Sequence, residues 1–364
     1  MFGGEIEGVG GVAMEAFAKV RLHQKKPLET RVPGLLWKDR SLTEGARYLW
    51  CYFWMLRDTC RKFTFAQLRR GTGLSQRSLL RHLDALKERL WLQYSRTGRS
   101  VEVQPLWPRS SRWIVLVDDL LLDHTLPHAA RWVWGVIRRL GRRFSYRMLM
   151  KHTGYSHNSL TKYLRLLQEK GYLSGTTGRV GRFKAFDLTS TNPAEDRRIA
   201  ALAQFEKSKS IVEEWKAYSW GQFLLARMVE LLTDAVIIEN GAASCLDNPE
   251  TGGRMQFDLF LPKFNTAIEF QGPQHSRVTQ RFPDESELRA QQRRDQLKRQ
   301  LSREAGITLV EVFPHDLSFE RLAELLGTAG VCLRTIPDER RYVYQALRRH
   351  AERYRATVGS DAAD

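Results

Sequence analysis

Between residues 41 and 190, apolar side chains recur first at helical spacing and then in short alternating runs, and this succession occurs twice. Phe63-Thr-Phe-Ala-Gln-Leu-Arg-Arg-Gly-Thr-Gly-Leu-Ser75, followed by QRSLLRHLDALKERLWL, is matched at a constant offset of 81 residues. The match reads Phe144-Ser-Tyr-Arg-Met-Leu-Met-Lys-His-Thr-Gly-Tyr-Ser156, followed by HNSLTKYLRLLQEKGYL. Aromatic-rich helical patterns precede both, around Ala46-Arg47-Tyr48 and around Ala130-Arg131-Trp132. Self-similarity at a fixed spacing implies one supersecondary unit used twice. Each unit predicts a helix, a short helix, a tight turn, a second helix and a hairpin. Gly73 and Gly154 fall at the turn, where positive φ must be tolerated, and Ser75 and Ser156 follow as N-caps. Leu79, Leu80, Leu83 and Leu86 form one buried stripe, repeated by Leu160, Leu164 and Leu167. Gln76, Arg77, Arg81 and Lys87 are left facing outward in the first unit, and His157, Asn158, Lys162 and Arg165 in the second. The hairpins Tyr94–Ser100 and Ser174–Phe183 bring Arg96 and Arg99, and Arg179 and Arg182.

Beyond residue 190 the pattern changes. Residues 192–217 are polar with a helical tendency and read as a linker helix, with a domain boundary near Pro193. A helix is expected over 219–233. Residues 255–271 then form two β-type runs around Pro262-Lys263-Phe264-Asn265, a turn by composition. With that tetrapeptide as the loop, Leu261 pairs with Thr266, and counting back places Asp258 opposite Glu269. Directly paired side chains have Cβ atoms roughly 4.5–5.5 Å apart. Gln271 points to the same face. A helix containing R-R-D-Q-L-K-R, a strand at G-I-T-L-V-E-V and helices over 316–328 and 334–357 complete the chain.

Charge divides along the same boundary. The chain of 364 residues carries a net charge of +17. Residues 1–190 hold 34 Lys and Arg against 15 Asp and Glu, while the remainder holds 24 against 26, so the whole surplus lies in the duplicated half. A segregated surplus fits a phosphate-binding module joined to something with a different task. A merely solubilising basic surface is the alternative. With 42% hydrophobic residues the chain can bury substantial cores, which excludes a disordered or fibrous protein. Cys51, Cys60, Cys245 and Cys332 form no C-x-x-C pair and no zinc spacing, and read as free thiols of a reducing compartment. No basic-then-apolar leader stands at the N-terminus, and the longest apolar run, Tyr48 to Leu56, is too short to span a bilayer. The expectation is a cytoplasmic protein without membrane association.

The hairpin carries the candidate chemistry. Two carboxylates facing each other among apolar residues repel, and burying them is costly. A divalent cation between them relieves both penalties. Mg²⁺, with Mn²⁺ as the alternative ion, takes a few carboxylate oxygens, waters and a substrate phosphate. It lowers the pKa of a bound water and offsets charge on a scissile phosphate, which points to phosphodiester hydrolysis. The competing reading has Asp258 and Glu269 edging a sheet in solvent.

The ordered set of a helix, F-D-L-F-L-P, I-E-F-Q-G-P-Q-H, a helix with R-R-D-Q-L-K-R and G-I-T-L-V-E-V resembles the PD-(D/E)XK nuclease superfamily. Within it, the branch of very-short-patch-repair-like endonucleases and of endonuclease subunits of heteromeric transposases is the most similar. The resemblance covers about a quarter of the chain. It implies Asp258 and Glu269 as metal ligands, and Gln222 in the place of a first-helix glutamate. Gln271 stands where the motif usually has Lys or an acid, and His275 beside the site. Lys298, on one helix face with Gln291 and Asp295, would supply the positive charge that Gln271 lacks. The two repeated units resemble winged helix-turn-helix domains, with recognition helices and basic wings that suit phosphates and base edges of a major groove.

The expected architecture is α+β and multidomain: two winged helices followed by an α/β restriction-endonuclease-like domain with a central mixed sheet. An N-terminal extension covers 1–40, the winged helices 41–108 and 109–190, a linker helix 191–217, the nuclease-like domain 218–330, and a C-terminal helix and tail 331–364. The expected function is Mg²⁺-dependent endonucleolytic cleavage of duplex DNA, with a homodimer or a partner nuclease or transposase subunit completing double-strand cutting. A DNA-binding regulator or replication initiator with a degenerate nuclease fold is the second expectation. Cleavage of structured RNA is the third.

Overall fold

The structure, a computed structural model, describes residues 28–107, 113–141, 143–180, 183–214, 219–241, 252–253, 255–272 and 285–360. The protein is a mixed α+β molecule with several small sheets, and its chain divides into two compact units, Met1–Arg197 and Arg198–Asp364. Among the described residues, no helix is long and apolar enough to cross a membrane.

The first unit is a duplication that reaches further than the sequence repeat. One copy runs β1 (Glu29–Pro33), α1 (Gly34–Lys38), α2 (Glu44–Leu56), β2 (Lys62–Thr64), α3 (Phe65–Thr72), α4 (Gln76–Glu88), β3 (Leu92–Thr97) and β4 (Ser100–Pro105). The other runs β5 (Trp113–Val117), α5 (Asp118–Leu122), α6 (His128–Leu140), β6 (Arg143–Ser145), α7 (Tyr146–Thr153), α8 (His157–Glu169), β7 (Leu173–Val180) and β8 (Phe183–Ser190). Up to α2 and α6 the copies are offset by 84 residues, and from β2 and β6 through β3 and β7 by 81. The chain between α2 and β2 is three residues longer than its counterpart, which hides the front of the repeat from a search at one fixed offset.

Local chemistry explains why both copies fold alike. Thr64 opens α3 with a reciprocal capping box to Gln67, and Ser145 caps α7 through the Met148 amide. Gly73 and Gly154 end those helices at φ of 70° and 76°, left-handed conformations that a glycine adopts without strain. Ser75 and Ser156 then accept from the amides of Ser78 and Ser159 to start α4 and α8. Each copy closes with a three-stranded sheet of the same order, β2-β4-β3 and β6-β8-β7.

The copies share one core, in which Trp50, Leu79, Leu83, Trp134, Leu160 and Leu164 all belong to the same buried cluster. Their first strands pair antiparallel, and Arg31 lies opposite its own equivalent Val115. That register is the signature of a two-fold relation, and other contacts repeat it. Arg47 sits over the Trp132 ring at 5.8 Å, while Arg131 sits over the Tyr48 ring at 4.5 Å. Within each copy an equivalent bond also forms: Trp50 donates to the Trp91 carbonyl and Trp134 to the Tyr172 carbonyl, both at 2.9 Å. Burial of Arg131 and Tyr48 lowers the guanidinium's pKa and raises the phenol's to about 12.

Helix α9 (Pro193–Glu214) comes next in the chain. The second unit follows with α10 (Trp220–Leu232), β9 (Ile238–Gly241), β10 (Phe257–Leu261), β11 (Thr266–Phe270), α11 (Glu285–Glu304), β12 (Thr308–Val312), α12 (Phe319–Thr328) and α13 (Arg341–Ser360). Its sheet has the order β12-β11-β10-β9, with β11 and β12 parallel and the other pairs antiparallel. Pro262–Phe264 form one 3-10 turn and Asn265 takes the left-handed conformation, so Leu261 pairs with Thr266, the register expected from the turn's composition. α10 lies against α13, α12 and β11. Gly221 permits this approach: a Cβ there would meet the Phe270 ring at 2.2 Å and the Tyr354 hydroxyl at 2.9 Å.

Gly221→Ala is therefore expected to destabilise the protein by about 1–3 kcal/mol through overpacking, read by urea unfolding. A loss below about 0.5 kcal/mol would mean that α10 shifts from β11 at no cost.

Candidate active site

The β10–β11 ladder stops at Leu259–Ile268, one pair short of Asp258 and Glu269. Side chains replace the missing rung. The Asp258 amide donates to Glu269 Oε1 at 3.2 Å, and the Phe270 amide donates to Asp258 Oδ2 at 2.7 Å. Each carboxylate thus satisfies a backbone N–H on the neighbouring strand, which keeps the two acids together where the strands part.

Three further groups converge. Gln222, in the first turn of α10, donates its amide to Asp258 Oδ1 at 2.7 Å. Lys298, near the middle of α11, donates to Glu269 Oε1 at 2.9 Å and to the Gln256 carbonyl at 2.8 Å. The Glu269–Lys298 pair is shielded, with side-chain exposures of 10% and 16%. Burial pushes the Glu269 carboxyl up to about 7, opposed by Lys298 and reinforced by the Asp258 charge.

Gln271 engages a further acid on the neighbouring strand. Its backbone amide continues the pairing to the Val312 carbonyl at 2.8 Å, while its side chain donates to Glu311 Oε1 at 2.9 Å. Glu311 stands opposite Glu269 in the β11–β12 register and is gripped by Arg299 through Nε at 3.0 Å and Nη2 at 2.6 Å. Gln271 thus serves Glu311, and the cation beside Glu269 comes from α11. Asp295 lies one turn before Arg299 and helps to hold that guanidinium charged. His275 lies outside the described residues, as does the side chain of Gln291. Glu311 and Arg299 escaped the sequence reading. The available signal was an acid at an alternating position of an otherwise apolar strand, T-L-V-E-V.

Asp258 and Glu269 present hard carboxylate oxygens of the kind Mg²⁺ accepts when waters and a phosphate complete its shell, and Gln222 stands beside Asp258. Among the described residues, no group of three or more His, Cys, Asp or Glu side chains converges as a metal cage.

In the first unit, Gln76, Arg77, Arg81, Arg96 and Arg99 are exposed, as are His157, Asn158, Lys162 and Arg165. Arg96 also lies over the Phe65 ring, and Arg165 is engaged by Glu169 at 2.7 Å. The Arg179 side chain and Arg182 lie outside the described residues. Arg69 and Arg70, absent from the sequence expectations, line an open groove of about 520 Å³ with Ala66, Gly73, Leu74 and Ser75, where α3 turns into α4.

No family model matches the chain. Short stretches are similar to viral proteins. The chain is 34% identical over 82 residues to uncharacterized protein 033L of Invertebrate iridescent virus 3, covering 22% of this chain and 42% of that protein. It is 36% identical over 73 residues to uncharacterized protein 307L of Invertebrate iridescent virus 6, covering 18% and 37%. It is 39% identical over 67 residues to uncharacterized protein 094L of Frog virus 3, covering 18% and 43%. The chain thus spans about two fifths of the length of these relatives, whose names state no activity.

An acid with a folded-state pKa of about 7 against an ordinary 4.5 binds more protons folded than unfolded between those values. Its contribution therefore becomes destabilising as pH rises through that window, and the penalty is complete above it. Glu269→Gln is expected to gain stability relative to the parent as pH is raised from about 5 to 8, measured by denaturant unfolding. A stability difference that does not vary with pH would contradict the raised pKa.

Proposed function

We propose that this protein is a metal-dependent endonuclease that holds duplex DNA with its duplicated basic unit and hydrolyses a phosphodiester bond at Asp258 and Glu269. The observation that carries the reading is the cross-strand carboxylate pair at the parting of β10 and β11, with Lys298 beside it. In support, the second unit combines a helix, a mixed sheet and a helix bearing the cation in the order that the PD-(D/E)XK resemblance implies. Each copy in the first unit combines two helices around a glycine turn with a three-stranded sheet, the layout of a winged helix-turn-helix domain.

A bound Mg²⁺ or Mn²⁺ would supply charge neutralisation and a more acidic water. Asp258 and Glu269 would hold it, with Gln222 beside Asp258. The chain's own residues do the rest. Gln222 and the Phe270 amide fix the Asp258 carboxylate, and the Asp258 amide orients Glu269. Lys298 holds a positive charge beside the carboxylate pair, where it would offset charge on a phosphate oxygen. Glu269 must ionise to hold a cation, so metal affinity is expected to weaken as pH falls below about 7.

A second reading, a DNA-binding regulator with a degenerate nuclease fold, draws on the pairing of Lys298 with Glu269 and of Gln271 with Glu311. Titration calorimetry with millimolar Mn²⁺ separates them: heat that Glu269→Ala abolishes favours the nuclease, and its absence the regulator. On duplex DNA, Glu269→Ala is expected to slow cleavage roughly a hundredfold or more while leaving duplex affinity unchanged. An unchanged rate would sink the proposed site. Parallel reactions on single strands and structured RNA test the substrate class.

A further inference from the structure

The two-fold relation inside the first unit constrains what the unit can recognise. α4 and α8 begin at equivalent points, and the turns ahead of them abut the opposite copy in a reciprocal manner. A methyl added at Gly73 would meet His124 at 3.5 Å, and one at Gly154 would meet the Arg40 guanidinium at 2.7 Å. Arg40 and His124 are themselves equivalent under the 84-residue offset. The start of α8 is tied down further by the Tyr155 hydroxyl, which donates to Glu44 at 2.7 Å. The N-terminal ends of both helices are therefore held against the seam, in one fixed relation, by the shared core and the β1–β5 pairing.

The exposed residues in the first two turns of the two helices occupy equivalent positions but differ in chemistry. Arg77 and Arg81 of α4 correspond to Asn158 and Lys162 of α8. Arginine reads the O6 and N7 edge of guanine with two hydrogen bonds, and asparagine reads adenine in the same way. Two-fold-related recognition helices that share one duplex meet half-sites related by the duplex's own dyad.

We infer that the first unit is an internal pseudo-dimer. As a single chain it binds one duplex segment carrying two half-sites in inverted orientation, unequal in sequence, at one fixed spacing. The inference rests on the duplex-binding reading above and adds to it stoichiometry, orientation and asymmetry. Both copies face DNA together, so neither helix is spare.

The test is selection from a random-sequence duplex library with the full chain in EDTA, so that metal-dependent cutting does not deplete bound sequences. The expected product is a motif of two inverted, non-identical half-sites at a single spacing, bound by one chain per duplex. Arg77→Ala with Arg81→Ala should lower enrichment of one half-site about tenfold and spare the other. Asn158→Ala with Lys162→Ala should do the reverse. All four side chains are exposed, and circular dichroism of each variant checks that the fold is kept. A direct repeat, a motif confined to one half-site, sequence-independent binding, two chains per duplex, or both variants eroding the same positions would overturn the inference while leaving duplex binding intact. Failure to retain any duplex would remove the binding reading itself, and the inference with it.

Discussion

Much of the second unit's architecture answers to one electrostatic problem, the placing of two carboxylates where a β-ladder ends. Asp258 and Glu269 are kept together by backbone N–H groups that the parting strands leave without ladder partners, each acid serving the other strand. Such bonds favour the charged forms, whereas burial of Glu269 opposes ionisation, and the balance leaves its pKa near 7. Elements around the pair follow from that balance. α10 must approach closely enough for Gln222 to reach Asp258, which requires a residue without a side chain at position 221. α11 must run across the sheet so that Lys298 reaches Glu269. A second layer, in which Arg299 and Gln271 satisfy Glu311, keeps a third acid on the same strand register from adding uncompensated negative charge.

The first unit solves a different problem. Each copy is a small domain with a three-stranded sheet, and the surface of α2 or α6 would be poorly covered if a copy stood alone. Packing the copies against each other joins those surfaces into one core rich in tryptophan, with Arg47 and Arg131 laid reciprocally over aromatic rings. Arg131 is 2% exposed, and its charge is received by the Tyr48 ring, the Asp123 carbonyl and His128 Nδ1.

How much of this was legible in the chain follows from how local each determinant is. The glycine turns, the serine caps and the 3-10 turn at Pro262–Phe264 are short-range chemistry, and they announced the two helix pairs and the hairpin register. Gln271 illustrates the limit. Its position after Glu269 was evident, but its partner Glu311 lies forty residues on, across a parallel pairing that no turn encodes. The β1–β5 seam was hidden for a related reason. It joins strands 84 residues apart, and the front of the repeat is out of step with its back by three residues. Lys298 was within reach because helical spacing is regular, so its face could be counted.

The β1–β5 seam has a consequence for how the protein behaves in solution. A two-fold assembly of separate chains dissociates on dilution, and whatever requires both halves is lost with it. Here the halves are tethered by a few residues between β4 and β5, so their local concentration is set by the chain and not by the cell. The assembly has no threshold of abundance. It also escapes the rule that every substitution in a homodimer is made twice. One copy can differ from the other in its outward face, as Arg77 and Asn158 do at equivalent positions of one folded body.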